Sequence, residues 1–358
     1  IVFYLRAASE TSVTLEGRLR EKALAKMREL RGLRSPRTHD VFERLAYVFP
    51  SDLAIANYPR KPVAAFNPGA ALRGRELLVF PRTIFEYYNY TSSICLFAVD
   101  VERLLSGELE KPVSARVVLW PDELWEFRGC EDARVYAQPD GFLMLYTGFG
   151  YHHSASGLEL KWVQGLAVLD SSLEVLKKGY FRIEGAEGSF APKMKDSAIL
   201  RLESGEAVLL CRPTLGDVEV CWRGTASLDR LAIEAESMEP VLAHEEWEFK
   251  VGWSTNVIQL SSNEYLIGWH GVLKGDYSYR EGFALLDGSG ELLAVSDYLL
   301  TPRGIVEKYG DRPLVIFGDG LILHRGKLLW VGGVSDYAIG FFAAELEKVM
   351  EEMRWLRG

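Results

Sequence analysis

The sequence predicts an all-β fold, a five-bladed β-propeller with N-terminal and C-terminal helical extensions, and three observations predict it. Five apolar runs share one pattern, ELLVFPR, FLMLYTG, AVLLCRP, YLIGWHG and LLWVGGV. They end at Arg82, Thr147, Arg212, His270 and Gly333, at steps of 65, 65, 58 and 63 residues. Each is preceded by a turn signal suited to a tight hairpin: Arg73-Gly74-Arg75, Asp140-Gly141, Ser204-Gly205, Ser262-Asn263 and Arg325-Gly326. Before each turn a further short strand opens on a polar residue, namely Asn67, Asp132, Asp196, Asn256 and Asp319. A third strand follows each run and ends at Asp100, Asp170, Asp229, Asp287 or Glu347. Units of this size cannot bury their faces singly, so five of them must pack around an axis.

The remaining elements follow in order. Residues 1–58 read as a helical extension and a strand packing on the propeller. Within them Leu15, Leu19, Leu24, Met27, Leu30 and Leu33 recur at helical spacing among many Arg and Lys. The basic face of that helix reads as a solvated surface rather than a membrane contact, and the helix is a candidate contact in a homo-oligomer. Residues 59–347 are the propeller, and 348–358 a closing helix, with Leu346, Val349, Met350, Met353 and Leu356 on one side.

Composition narrows the function. The 358 residues carry 41 Lys+Arg against 50 Asp+Glu, a formal charge of −9, which argues against nucleic acid as a partner because phosphate-backbone binding needs a basic stripe. No run of 18 apolar residues is present, so no membrane-spanning helix is expected. The N-terminal IVFYLRAASE has neither a basic leader nor a small-residue cleavage site. Cys95, Cys130, Cys211 and Cys221 form no metal or disulfide spacing and read as buried thiols in a reducing cytoplasm. The adjacent pair His152-His153 lacks zinc-ligand spacing, and Gly188-Ser189 lacks a nucleophile-elbow frame. No metal and no organic cofactor are expected.

In a propeller the polar residues opening each repeat ring one end of the channel, although Asn and Asp also favour such positions because they cap turns. With the ends of the hairpins facing the channel, Asn67, Arg82, Asp132, Arg134 and Lys195 meet Arg212, Lys250, His270, Tyr279 and Asp336. Cations outnumber acids in that set on a protein that is acidic overall. Arginine forks bind phosphate in bidentate fashion, so a phosphate group is the natural guest. Tyr87, Tyr88, Tyr90, Tyr151 and Trp253 are candidates to stack on sugar rings, although strands carry aromatics more often for packing.

Several segments resemble glycoside hydrolase family 130, the β-mannoside phosphorylases. They are Gly129-Cys130-Glu131-Asp132-Ala133-Arg134, Leu145-Tyr146-Thr147-Gly148, Lys195-Asp196, Arg212-Pro213 and Lys250-Val251-Gly252. Trp269-His270-Gly271-Val272, Tyr277-Ser278-Tyr279-Arg280, Thr301-Pro302-Arg303 and Ser335-Asp336 continue the likeness in order. The resemblance implies a five-bladed propeller and an inverting phosphorolysis, in which inorganic phosphate as co-substrate attacks a non-reducing β-mannosyl unit and releases α-mannose 1-phosphate. It implies Asp132 as proton donor, acting through a sugar hydroxyl. It implies Lys195, Arg212, His270 and Tyr279 as phosphate ligands, and Asn67, Arg82, Lys250 and Asp336 as holders of the mannosyl unit; Arg134, in the acid motif, is counted with the substrate-binding set. Ala133 stands where the family motif has proline, and Lys195 where Arg is frequent.

The residue types fit that chemistry. An inverting hydrolase needs a second carboxylate to activate water across about 6.5–9.5 Å. Phosphate arrives as an anion, so cationic anchors replace the base. The expected function is a cytoplasmic β-mannoside phosphorylase acting on a small β-mannosyl oligosaccharide. The alternatives are an inverting hydrolase drawing its base from Glu184, Glu187 or another loop, and a non-catalytic carbohydrate-binding propeller.

Overall fold

The computed structural model describes residues 14–154 and 156–356, so the N-terminal segment read above for a leader lies outside the described residues. Between Ala64 and Glu345 the chain folds into five antiparallel meanders. The first comprises Ala64–Arg73, Glu76–Ile84, Ser92–Asp100 and Val113–Leu119. The second runs Gly129–Gln138, Gly141–Ser154, Gly157–Asp170 and Val175–Tyr180. A single parallel pair, Ser92 with Gly129, joins these two into one hydrogen-bonded sheet. The third is built on Lys193–Glu203, Glu206–Leu215 and Cys221–Ser227, the fourth on Glu248–Trp253, Glu264–Leu273, Tyr279–Leu286 and Leu292–Ser296. The fifth contains Ile316–His324, Lys327–Val334 and Ala338–Glu345.

The hairpin turns fall where the sequence puts them. Ser204-Gly205 and Arg325-Gly326 each take positive φ at both residues (52° and 84°, 48° and 80°), the backbone that matches the twist of the flanking strands.

Side chains alternate along each central strand, and both faces are buried. Leu78 and Phe80 pack with Val135 and Met144 of the second meander, whereas Val79 and Leu77 face Val331 and Phe341 of the fifth. Leu143 and Leu145 meet Leu209 and Trp222; Leu200 and Leu210 meet Ile267 and Trp269; Leu266 and Phe283 meet Leu328 and Trp330. Each meander is thus sealed to the next, and the fifth to the first. Where first strands approach one another, small residues are required: a Cβ on Gly69 would lie 2.3 Å from the Ala133 carbonyl oxygen.

The ends of the chain complete two meanders. Glu43–Val48 pairs with Ala338–Glu345, and Met353–Trp355 with Leu292–Ser296. The helix expected over 348–358 occupies Leu346–Glu351 instead. Beyond it the unpaired edge of Leu292–Ser296 offers backbone partners, and the chain turns to strand; Leu356 N–H donates to the Leu293 carbonyl at 2.9 Å.

The N-terminal helix is Leu15–Met27, shorter than its apolar spacing suggests. Beyond it the chain turns away, with Gly32 at φ 77° and the backbone N–H groups of Gly32 and Arg34 donating to the Glu245 carboxylate. Leu15, Leu19 and Ala23 are buried against the third meander. On the basic face Arg18 pairs with Glu187 and Glu236, Arg20 with Asp217 and Lys22 with Glu239, so the helix is satisfied within its own chain.

Trp330 is fully buried, 5.0 Å from the Phe283 ring centroid and 5.9 Å from that of Phe42. Trp330→Ala is expected to lower unfolding free energy by about 3–5 kcal/mol in urea titrations, through lost burial and the cavity left behind.

Candidate active site

In four meanders the first strand slips register at the same place. The shifts fall between Phe66 and Gly69, Glu131 and Arg134, Lys195 and Ala198, and Gly318 and Gly320. Asn67, Asp132 and Asp196 stand in the first three with φ of 44°, 52° and 56°, and Asp319 stands in the fourth. Asn and Asp tolerate this left-handed backbone better than other side-chain-bearing residues. A bulge re-aims side chains, and in the second and third meanders it brings two successive residues, Glu131 with Asp132 and Lys195 with Asp196, to line one cavity. The fourth meander instead interrupts its first strand between Trp253 and Ile258. Asn256, within that break, is a clamp: its side chain donates to the Leu321 carbonyl at 3.0 Å and accepts from the Leu321 N–H at 2.7 Å.

Nine of the ten candidate residues line one cavity of about 100 Å³, joined by Glu131, Asp196, Arg312, Val315 and Phe317. Two clusters of contacts share it. In the first, Asn67 Nδ2 donates to Asp132 Oδ1 at 2.9 Å, and the Arg82 guanidinium reaches Glu131 Oε1 at 2.9 Å and Asp132 Oδ1 at 3.5 Å. Burial pushes Glu131 above the usual carboxyl range, against the pull of Arg82, and pushes Asp336 up to about 6 although Arg82 and Arg312 oppose it.

The second cluster is cationic. Arg212, which lines the cavity, donates through Nε to Asp196 Oδ2 at 2.7 Å and through one terminal nitrogen to Glu219. Lys250 lies 5.1 Å and Arg312 4.9 Å from the Tyr279 ring centroid. Burial, seconded by Arg212, lowers the Lys250 ammonium to about 8. Lys250, which the resemblance groups with Asn67, Arg82 and Asp336 as a holder of the mannosyl unit, thus lies among the cations of the cavity. Lys195 sits 5.9 Å from the Trp162 ring centroid. His270 stacks on Tyr279 at 5.7 Å, and burial holds its imidazole well below the ordinary range, so it is neutral.

Arg134 is the tenth candidate, and the structure corrects it. It is 3% exposed and outside the cavity lining. Its donors go to the carbonyls of Ser254 (2.7 Å), Asp132 (3.0 Å) and Trp253, and to Asp196 and Asp319. Its task is to hold the hub together. Asp196, between Arg134 and Arg212, would be pushed up by burial, but the two guanidinium groups outweigh that and hold it well below the usual range.

Sequence reasoning missed Glu131 and Arg312. Glu131 adjoins a residue it singled out, but strict alternation would place the two on opposite faces. Arg312 precedes the fifth meander on a segment without periodic signal. The weaker constellations lie elsewhere. His152 is lowered to about 4 by burial and packs edge-on against Tyr180, and Ser189 accepts from Arg182. Trp253 is core, Tyr88 is fully solvated, Tyr151 packs with Phe127, and Tyr90 stacks on Tyr87 with its ring 6.0 Å from the Arg82 guanidinium. Among the described residues no group of His, Cys, Asp or Glu is arranged to hold a metal, all four cysteines are buried free thiols, and no helix is long and apolar enough to cross a membrane.

The sequence profile described as beta-1,4-mannooligosaccharide phosphorylase matches residues 33–355, from the segment before the first strand to the last strand. The chain belongs to glycoside hydrolase family 130. Solved structures with similar folds include a beta-1,2-mannobiose phosphorylase from Listeria innocua in complex with beta-1,2-mannobiose (TM-score 0.66, 19% identity, 85% of this chain and 96% of that one). Another comes from work describing family 130 glycoside hydrolases that target beta-1,2 mannosidic linkages in Candida mannan (0.64, 16%, 80% and 86%). A third is MPT-4, a mannose phosphorylase from Leishmania mexicana with a phosphate ion (0.57, 14%, 92% and 93%). No curated protein sequence matches the chain. Membership makes the protein an enzyme of a mannoside phosphorylase and glycosidase family.

Removing one member of a buried ion network leaves the others uncompensated. Asp196→Ala is expected to destabilise this family 130 protein by roughly 3–5 kcal/mol, measured by chemical denaturation, well beyond the effect of Glu184→Ala at the exposed Arg230 pair.

Proposed function

We propose that the protein catalyses inverting phosphorolysis of a small β-mannosyl oligosaccharide, yielding α-mannose 1-phosphate, on a five-bladed propeller whose blades are the five meanders. One observation carries the reading: a single cavity presents a carboxylate cluster and, facing it, a cluster of Lys195, Arg212, Lys250, His270, Tyr279 and Arg312. The ring of cores between successive meanders supports the propeller. Phosphate held by the cations attacks the anomeric carbon from the side opposite the leaving group. The glycosidic C–O bond breaks as the new C–O–P linkage forms. The leaving oxygen takes a proton whose source is Asp132, and the proton carried by the incoming phosphate is released, restoring Asp132. Asn67, Arg82 and Asp336 orient the mannosyl unit, Asn67 and Arg82 also holding the Asp132 carboxylate in place.

A second reading, hydrolysis, has one observation in its favour. Glu219 sits on Arg212 at the cationic end, where a carboxylate base would stand. Glu184 and Glu187 do not serve, because they pair with Arg230 and Arg18 on the outer surface. Incubation with β-mannobiose decides between the readings. Sugar phosphate formed only when phosphate is added supports phosphorolysis, free mannose formed equally without it supports hydrolysis, and binding without turnover supports a lectin-like role.

Asp132→Asn removes the proton while keeping the shape, and kcat is expected to fall by about 10²- to 10⁴-fold with folding intact. The lowered Lys250 ammonium gives a pH signature. Below about 8 it is charged and attracts phosphate; above that it is neutral. Phosphate KM is therefore expected to rise as pH climbs through 8, and to be uniformly high and less pH-dependent in Lys250→Met.

A further inference from the structure

Behind the cavity wall runs a chain of polar side chains with no assigned role. His270 Nδ1 lies 3.0 Å from Ser254 Oγ, and Ser254 Oγ lies 2.7 Å from Glu281 Oε2. Ser254 and Glu281 are fully buried and outside the cavity lining; His270 is the only member that reaches it. Ser254 stands in the break of the fourth meander's first strand, the place where the other meanders carry their bulge residues. His270 and Glu281 face each other in register on neighbouring strands.

Each link of this chain has one shared proton, so its direction is all-or-none. A neutral imidazole carries one N–H, and the hydroxyl has one proton to give. His270 lines the cavity, and its Nε2 lies 3.8 Å from Asp196 Oδ2. If Glu281 is ionised, Ser254 donates to it, Nδ1–H donates to Ser254, and Nε2 is left with a lone pair. If Glu281 is a carboxylic acid, it donates to Ser254, Ser254 donates to Nδ1, and Nε2 carries the proton as a donor.

We propose that Glu281, as a neutral acid acting through Ser254, is a positioning residue that fixes His270 as the Nε2–H tautomer and so presents a donor to bound phosphate. This rests on the reading of the cationic cluster as a phosphate site. Among the described residues Glu281 makes no ion pair, and its buried Oε1 has no well-formed hydrogen bond, a poor setting for a carboxylate. The charged groups facing it are Arg134 of the second meander, Asp196 of the third and Asp319 of the fifth. Burial is the largest influence and, with the two carboxyls, keeps Glu281 well above the ordinary carboxyl range, against the Ser254 hydroxyl, the Arg134 guanidinium and the Gly318 backbone N–H, which favour ionisation. Burial, the largest influence, together with Lys250, Arg212 and Arg134 outweighs the pull of Asp196 and opposes charge on His270 itself. The chain therefore supplies a hydrogen-bond donor to an anion without placing another cation among those already there.

Nitrogen-15 spectra of histidine-labelled protein test this directly, before any activity is read. At neutral pH His270 is expected to show a protonated Nε2 and an unprotonated Nδ1. Glu281→Gln supplies an amide donor to Ser254 and is expected to keep that spectrum and a phosphate Kd within about twofold of the parent, measured by calorimetry with inorganic phosphate. Ser254→Ala and Glu281→Leu break the chain and are expected to lose the tautomer preference and weaken phosphate about tenfold, the loss of one hydrogen bond to a charged group. A wild-type spectrum with the proton on Nδ1, or on both nitrogens, overturns the proposal, as does Glu281→Gln behaving like Glu281→Leu. If a variant does not fold, the wild-type spectrum still decides. Should the wild-type protein bind no phosphate, the phosphate-site reading fails, whereas the tautomer result reports on the chain alone.

Discussion

Everything at the centre of this molecule depends on one buried carboxylate shared by two guanidinium groups. Asp196 takes Arg134 on one oxygen and Arg212 on the other, with all three almost solvent-free. Such a network is no cheap source of stability, because three charges must leave water and only close geometry offsets that. What it secures is position. Arg134 ties the backbones of the second and fourth meanders and reaches Asp319 of the fifth, while Arg212 fixes the floor of the cationic cluster. The site is therefore as rigid as the joints between meanders, and the geometry expected to bind an anion also aligns the sheets.

The repeated bulge is the local device that makes the network possible. A regular strand would send Asp132 and Glu131, or Lys195 and Asp196, to opposite faces and into apolar cores on at least one side. A residue held at positive φ breaks the alternation, so charged pairs face inward while Leu78, Met144 and their counterparts continue to fill the interfaces. At these bulges the left-handed backbone falls on Asn67, Asp132 and Asp196, residue types that bear it more easily than most.

This explains what the sequence could and could not disclose. Turns, apolar runs and their spacing are short-range chemistry, so the strands and the polar residue opening each unit were legible from composition and period alone. Glu131 was invisible to a period-two reading because a bulge cancels that period. Arg134 and Arg212 looked alike as strand arginines, yet one faces the hub backbone and the other the cavity, a difference set by partners more than a hundred residues away in Ser254 or just across a hairpin in Asp196. Ser254 and Glu281 carried no signal at all, since a hydroxyl linking an imidazole to a buried acid is defined only by tertiary proximity. The closing helix failed for the same reason: the free edge of Leu292–Ser296 competes for residues whose spacing alone suits a helix.

The pairing of Glu43–Val48 with Ala338–Glu345 carries a further implication for how the chain is made. The first of these strands must wait, edge exposed, until all five meanders have been synthesised before its partner exists. Closing so long a loop lowers chain entropy by an amount that grows only logarithmically with its length, but it delays the cooperativity that this seam adds until the fifth meander is made. A nascent chain arrested before Ala338 thus lacks the seam that joins Glu43–Val48 to the fifth meander, whatever order its earlier sheets have reached.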